Sequence, residues 1–407
     1  MFVVAPAFAQ DANRGNSDFS YFREFEEEFA SESDHGSSDH SAGDHGCDCD
    51  CGCESDCGCG LGCASRGCKG APWWCKGGPG HAHNNHDIKH GRVDTHAPAH
   101  LFGDHAHKKG QWMVEYKYMN MYMDGNRAGT SSLTDLEALN FLGAAPPPNG
   151  FGATPLSMTM EMHMMHVMYG LNDCFTAYIM PMWQVNTMDH ARRPSFPNNN
   201  FRVTNSGFGD FAFGTLWKAW ENETDELIFN IGFSAPTGDI DRQSSIPTAS
   251  LADLPYPMRL GSGTWDARPG VTYKRFWDYW SAGVQAQFDL PMGFNDQNYR
   301  MGNEYRLNTW VTRVLDCEKR FAVSFRVEAL FKSNYVGADP DLNPMLISTA
   351  RSDMRGGEFI NFGYGAMYWL PCGGRLNFEV AHKVYQNLRG VQLEQDWSLA
   401  TSWSKAF

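Results

Sequence analysis

From about residue 110 onward, apolar and polar positions alternate with period two over segments of roughly ten residues each. In "YWSAGVQAQFDL", Trp280, Ala282, Val284, Ala286, Phe288 and Leu290 share one face. Ser281, Gly283, Gln285, Gln287 and Asp289 share the other. "RFAVSFRVEALF" sets Phe321, Val323, Phe325, Val327, Ala329 and Phe331 against Ala322, Ser324, Arg326 and Glu328, and "ELIFNIGFS" and "EFINFGYGAMYWL" repeat the scheme. Such alternation predicts strands with one apolar face. Their lengths fit the ~9–11 residues of a tilted bilayer-spanning strand better than the ~5–6 of a soluble sandwich. Small and polar residues on the second face suit a wet interior.

About twelve such segments begin near 111, 156, 174, 207, 226, 263, 279, 305, 320, 358, 375 and 395. Short connections at 171–173, 222–225 and 317–319 alternate with long ones at 125–155, 189–205, 237–262 and 333–356. Short turns on one rim and long loops on the other are the habit of an outer-membrane barrel. The final strand, "DWSLATSWSKAF", has Trp397, Leu399, Thr401 and Trp403 on one face and ends on Phe407, in the manner of strands read by outer-membrane assembly machinery. The expected fold is all-β: a transmembrane antiparallel β-barrel of about twelve strands over 110–407, in a bacterial outer membrane.

Before residue 110 the texture differs. "MFVVAPAFAQ" reads as the remnant of a signal peptide, with Ala7-Phe8-Ala9 as a small-x-small cleavage site, so 1–9 is assigned to export. Residues 10–109 are acidic and rich in Cys, His, Ser, Asp and Gly, with too few large apolar side chains for a core, so this region is expected to be largely disordered. The 407-residue chain carries a net charge of −14, which excludes nucleic acid as a natural partner and leaves cations, small solutes and outer-membrane lipid. No dinucleotide fingerprint, phosphate loop or Ser-His-Asp order stands in a credible context, so an enzyme is not expected.

Two sets of side chains carry candidate chemistry. Cys47, Cys49, Cys51, Cys53, Cys57, Cys59, Cys63, Cys68 and Cys75 crowd one tract, followed by His81, His83, His86, His105 and His107. Thiolates at CxC spacing converge on a soft ion with little scaffold, so Cu or Zn ions are the candidate cofactors, with disulfides as the competing use in an oxidising compartment. The second set faces the expected lumen: Met113, Glu115, Lys117, Met119 and Met121 on the first strand, Met180 and Met182 on the third. Asp210, Asp266, Arg268, Asp289, Arg326, Glu328, Glu379 and Lys383 follow further along the chain. Thioethers in a wet channel favour a soft cation or an aromatic passenger. The strand "MTMEMHMMHVMY" leaves its faces open: with Glu161 and His163 inward, Met158, Met160, Met162 and Met164 would face lipid. In "ADPDLNPM", Asp339 and Asp341 suit a divalent cation or a loop-ordering turn equally.

Three segments, "HAPAHLFGDHAHKKGQWMVEYKYMNMYMDGNR" (96–127), "SGFGDFAFGTLWKAW" (206–220) with "IGFSAPTGD" (231–239), and "GADPDLNPM" (337–345), carry a resemblance. The chain resembles, over roughly 96–407, the outer-membrane channel-like transporter proteins of the phenol-degradation meta-pathway family. That resemblance implies a barrel passing small solutes and leaves the cysteine tract outside it. The leading expectation is a channel whose N-terminal segment gathers metal ions. The alternatives are an uptake channel for aromatic or apolar compounds with the N-terminus as a plug, and a non-conducting interaction barrel. Deletion of residues 30–109 is expected to remove stoichiometric Cu or Zn binding and leave a heat-modifiable barrel; undiminished metal binding would retire the collar.

Overall fold

The computed structural model describes residues 91–141, 150–193, 200–247 and 249–407. The signal-peptide remnant, all nine clustered cysteines, and His81, His83 and His86 lie outside the described residues.

The strands form one ring. In chain order they are β1 (Trp112–Gly129), β2 (Ala153–Gly170), and β3 (Phe175–Met180, resuming as Met182–Arg192). Then come β4 (Asn200–Phe208, resuming as Phe211–Glu221), β5 (Asp225–Ala235), β6 (Trp265–Phe276) and β7 (Trp280–Met292). β8 (Glu304–Val314), β9 (Phe321–Lys332) and β10 (Gly357–Trp369) follow, and then one continuous stretch, Gly374–Ala406. Each pairs antiparallel with the next, and β1 pairs with β2 from Trp112↔Tyr169 to Asp124↔Ser157. Eleven elements cannot close antiparallel, because an odd ring cannot alternate direction. The last stretch therefore reverses. Its first half pairs with β10 through Arg375 to Leu388, its second half with β1 through Leu388 to Ala406. Gly390, at φ 87°, makes the turn that a side chain would strain. Gln386 Nε2 donates to the Gln395 carbonyl at 2.9 Å, and Gln395 N–H donates back to Gln386 Oε1 at 2.9 Å. The halves are β11 (374–388) and β12 (391–406), and the barrel has twelve staves.

Paired donations between Trp112 and Phe407 (3.3 and 2.8 Å) close the seam. Trp112, Tyr116, Trp183, Trp217, Phe233, Trp265, Val284, Tyr364 and Trp403 stand exposed on the outer wall, where hydrocarbon is their solvent. Both ends of the barrel sequence and the short turns at 171–174, 222–224, 277–279 and 370–373 lie at one rim, the periplasmic one. At the other rim the long loops cover the mouth. Tyr256, Tyr299, Leu342, Ile347 and Ala350 form a buried cluster there with Ala153 of β2. Asp339 is ion-paired to buried Arg259, whose guanidinium lies 5.3 Å from the Tyr256 ring and 5.2 Å from that of Tyr299. Asp339 Oδ1 also accepts from Asp341 N–H at 2.8 Å, so the "ADPDLNPM" acids order the loop.

One wall is broken. Pro181 interrupts β3, and Gly209-Asp210 interrupts β4 beside it, with Gly209 N–H donating to the Met182 carbonyl at 2.9 Å. Proline cannot donate to the ladder, so β3 and β4 are interrupted side by side, and the same strands resume pairing beyond the break.

The composition boundary at 109/110 is not the packing boundary. Residues 92–107 lie inside the barrel at its periplasmic end, with Val93, Ala97, Ala99 and Leu101 buried. The segment has almost no regular structure, and wall side chains satisfy its backbone. Asn377 Nδ2 donates to the Ala97 carbonyl at 3.0 Å, while plug residue Arg92 in turn donates from Nη2 to the wall carbonyl of Trp280 at 3.0 Å. Lys117 Nζ reaches the Leu101 carbonyl at 2.8 Å, while Gln285 and Gln287 reach that of Phe102 at 2.9 and 3.1 Å. His107 N–H donates to Thr176 Oγ1 at 2.8 Å before the chain leaves for β1. The segment is a plug.

Gly283 of β7 sits opposite Trp310 of β8, and a Cβ there would collide with the indole. The bare glycine lets Trp310 lie flat and pack with Ala97 and Leu101 of the plug. Trp310→Ala should leave a void costing about 3–5 kcal/mol. Amide exchange of 92–107 is expected to accelerate while that of β7 and β8 stays slow; equal acceleration throughout would show that the indole supports the wall instead.

Candidate functional site

Above the plug lies a cavity of about 390 Å³. Its two walls differ in kind. Met121 and Met123 of β1, Met158 and Met160 of β2, and Met182 and Met188 of β3 line one side. The open question about β2 is answered here: Met158, Met164 and Met168 are buried with His166, while Met165 is exposed. Glu161 and His163 share the outward parity, and His163 Nδ1 meets Tyr116 Oη at 2.7 Å. His166 fixes this choice by bonding Glu115 Oε2 at 2.7 Å across the β1–β2 pair. A signal was present in the sequence, since Met165, Val167 and Tyr169 continue an apolar, aromatic face on the odd positions.

The other side is ionic. Arg268 of β6 pairs with Asp289 of β7 at 2.7 Å, and Lys332 of β9 with Glu304 of β8 at 2.7 Å. Arg306 joins Glu304 and lies 3.9 Å from Asp289. Nearer the plug, Arg326 pairs with Glu379 at 2.6 Å and with Glu328 at 3.2 Å, and donates to Asn308 Oδ1 at 2.8 Å. A Cβ at Gly363 would overlap the Glu379 carboxylate, so that glycine makes room for the pair. Glu379 Oε2 also accepts from His100 N–H at 2.9 Å, tying the ladder to the plug.

The residues singled out from sequence fall into three places. Met121, Met182, Asp210, Asp266, Arg268 and Asp289 line the cavity. Met113, Glu115 and Lys117 surround the plug, where Met113 packs with Met168, Tyr178 and Phe102. Arg326, Glu328 and Glu379 form the ion network, and Lys383 lies 4.9 Å from the Phe359 ring. Met119 and Met180 are half-buried and belong to none of these groups. Asp210 is occupied structurally, accepting from Gly238 N–H at 2.9 Å and Ser262 N–H at 2.7 Å. Sequence reasoning missed Glu304, Arg306, Lys332, Tyr335 and Arg355. The last two sit in a loop, where no periodicity marks a direction.

His105 and His107 are not at an open mouth. Their rings meet edge-on at 5.1 Å inside the plug, His96 stacks on His105 at 3.6 Å, and Asp104 Oδ1 holds His105 Nδ1 at 3.0 Å. Imidazoles stacked on one another do not converge on a centre. Among the described residues no group of three His, Cys, Asp or Glu side chains is disposed to hold a metal.

A second cavity, of about 360 Å³, opens between the extracellular loops and is lined by Phe201, Val203, Ile246, Leu251, Leu254, Leu342, Leu346 and Ile347. One apolar cluster joins the linings of both cavities: Val203 and Leu254 from the outer, Met123, Met158, Met188 and Leu393 from the inner, with Met258 buried among them.

Residues 158–391 match the family described as "Putative MetA-pathway of phenol degradation". The chain belongs to that family. Among solved structures it is similar to the COG4313 outer membrane channel from Pseudomonas putida F1, at 15% identity and TM-score 0.51, over 74% of this chain and 97% of that one. At that identity the likeness shows the fold. Slighter likenesses, to the KdgM porin (8% identity, TM-score 0.35, 72% and 99% covered) and the Ralstonia pickettii toluene transporter TbuX (10%, 0.36, 77% and 92%), carry no argument. No curated protein matches the chain. This family member has the fold of an outer-membrane β-barrel.

Burial holds His96 well below the ordinary histidine range and His107 down to about 3, helped by the nearby His105 and Arg375. Both imidazoles are therefore neutral inside the plug at neutral pH. A group with a depressed folded value contributes fully above its unfolded pKa of about 6.5 and loses that contribution as pH falls. Acid should thus loosen the plug, and single-channel conductance of the reconstituted barrel is expected to rise between about pH 7 and pH 4. His107→Gln should blunt the rise; a conductance flat in both proteins would contradict it.

Proposed function

We propose that this channel carries small apolar solutes, aromatic ones foremost, inward across the outer membrane. The methionine wall supports the reading most directly. Thioethers are polarizable and deformable, offer weak hydrogen bonds and pack well on aromatic rings, so seven of them lining the cavity, Met301 included, favour a ring over a hydrated sugar or ion. The apolar outer cavity and the cluster beneath it give such a solute a continuous greasy surface from the extracellular loops to the lumen. Membership of a family described by phenol degradation agrees with the same solute class. The metal reading rests on the cysteine and histidine tract, and the described residues add nothing to it.

The full chain reconstituted in liposomes should pass phenol or toluene well above glucose at equal gradients. Met158→Asp with Met188→Asp, which places charge in the shared apolar cluster, is expected to cut aromatic flux at least roughly tenfold through desolvation cost. Equal flux of phenol and glucose, or flux indifferent to both substitutions, would remove the reading.

A further inference from the structure

Around the inner cavity nearly every charge is spoken for. Arg268, Arg306 and Lys332 have carboxylate partners among Asp289 and Glu304, and Arg259 has Asp339. Arg355, which lines the same cavity, has no carboxylate partner among the described residues. It is 7% exposed, its Nε has no hydrogen-bond partner, and its one side-chain bond is a 3.3 Å donation from Nη2 to the Ser348 carbonyl. Asp353, two residues away, is engaged by Arg351 at 2.7 Å. Asn334 Oδ1 accepts from the backbone N–H of both Arg355 and Gly356, at 3.2 and 2.7 Å, so the loop is fastened with the guanidinium in this position. Burial lowers the Arg355 pKa to about 10, which leaves it a cation at neutral pH. Thr349, 2% exposed and lining the same cavity, also has an unpartnered hydroxyl.

A buried cation without an anion is costly, and a loop free to turn it outward would do so. Arg375 is also buried, but it faces the plug, donating to Thr95 Oγ1 at 3.1 Å beside the Trp369 ring. Arg355 instead lines a space of ligand size that the thioethers also line.

We infer that Arg355 and Thr349 form a receptor for the carboxylate of a small aromatic acid, whose ring rests on the methionine wall. The inference deepens the channel reading and rests on it. A guanidinium fork matches a carboxylate with two parallel N–H donations, and a hydroxyl supplies a third donor. Phenol does not meet the need, because a phenolic hydroxyl with pKa near ~10 stays neutral at pH 7, whereas a carboxylic acid near ~4 is ionised.

The test uses the full chain in detergent with benzoate and neutral benzyl alcohol as probes, binding measured by titration calorimetry. Benzoate should bind the native protein more tightly than benzyl alcohol. Arg355→Met should weaken benzoate about tenfold or more and leave benzyl alcohol unchanged. Arg355→Lys should retain part of the preference, and Thr349→Val should lose a few-fold; these two carry the test if Arg355→Met fails to show a heat-modifiable band. Unchanged benzoate affinity in these variants, equal loss of both probes, or no native preference for benzoate would overturn the receptor while leaving aromatic flux standing. Failure of both probes to bind or to cross liposomes would instead bring down the channel reading, and the receptor with it.

Discussion

Everything in this molecule follows from the cost of an unsatisfied backbone group in hydrocarbon. Within a bilayer core there is no water to bond a free N–H or C=O, so a sheet survives only if it has no edge. The ladder between β1 and β12, which ends in the Trp112–Phe407 donations, is where that condition is met. It also dictates the reversal at Gly390, since only an even ring closes antiparallel. Where Pro181 removes a donor, the neighbouring strand breaks beside it and Gly209 N–H bonds across to the Met182 carbonyl.

The interior obeys a second form of the rule. The plug has hardly any regular structure, yet it is tolerated at membrane depth because Lys117, Gln285, Gln287 and Asn377 take its carbonyls. Irregular backbone can be buried when side chains take the place of a ladder. The ion ladder from Arg268 to Glu379 follows the analogous rule for charge: each buried group is paired, and the glycine at 363 makes space for one pair. Against that background an unpaired guanidinium at Arg355 stands out as chemistry left for a visitor.

The cavity joins these two economies. Its ionic wall is saturated with internal pairs and offers little to a hydrated ion, while its methionine wall offers contact area with few competing hydrogen bonds. That contrast supports the proposed apolar passenger over the metal one expected from the cysteine tract. The histidines nearest the barrel serve the plug by stacking and by staying neutral.

Local pattern determined the strands, their number and the lumen faces of β1, β3 and β7, because a pleated strand turns alternate side chains to opposite solvents and needs no partner to do so. It also marked Asp339 as a loop residue, though not its bond to Arg259. The facing of β2 was only faintly marked in sequence, by Met165, Val167 and Tyr169, and the pairing of His166 with Glu115 across two strands shows it. Composition alone could not show that residues 92–107 lie inside the wall, since a polar, irregular segment looks disordered until a ring of donors surrounds it. The position of Arg355 beside a cavity was decided by tertiary structure for the same reason: a loop has no period, so only folding tells which way its side chains point.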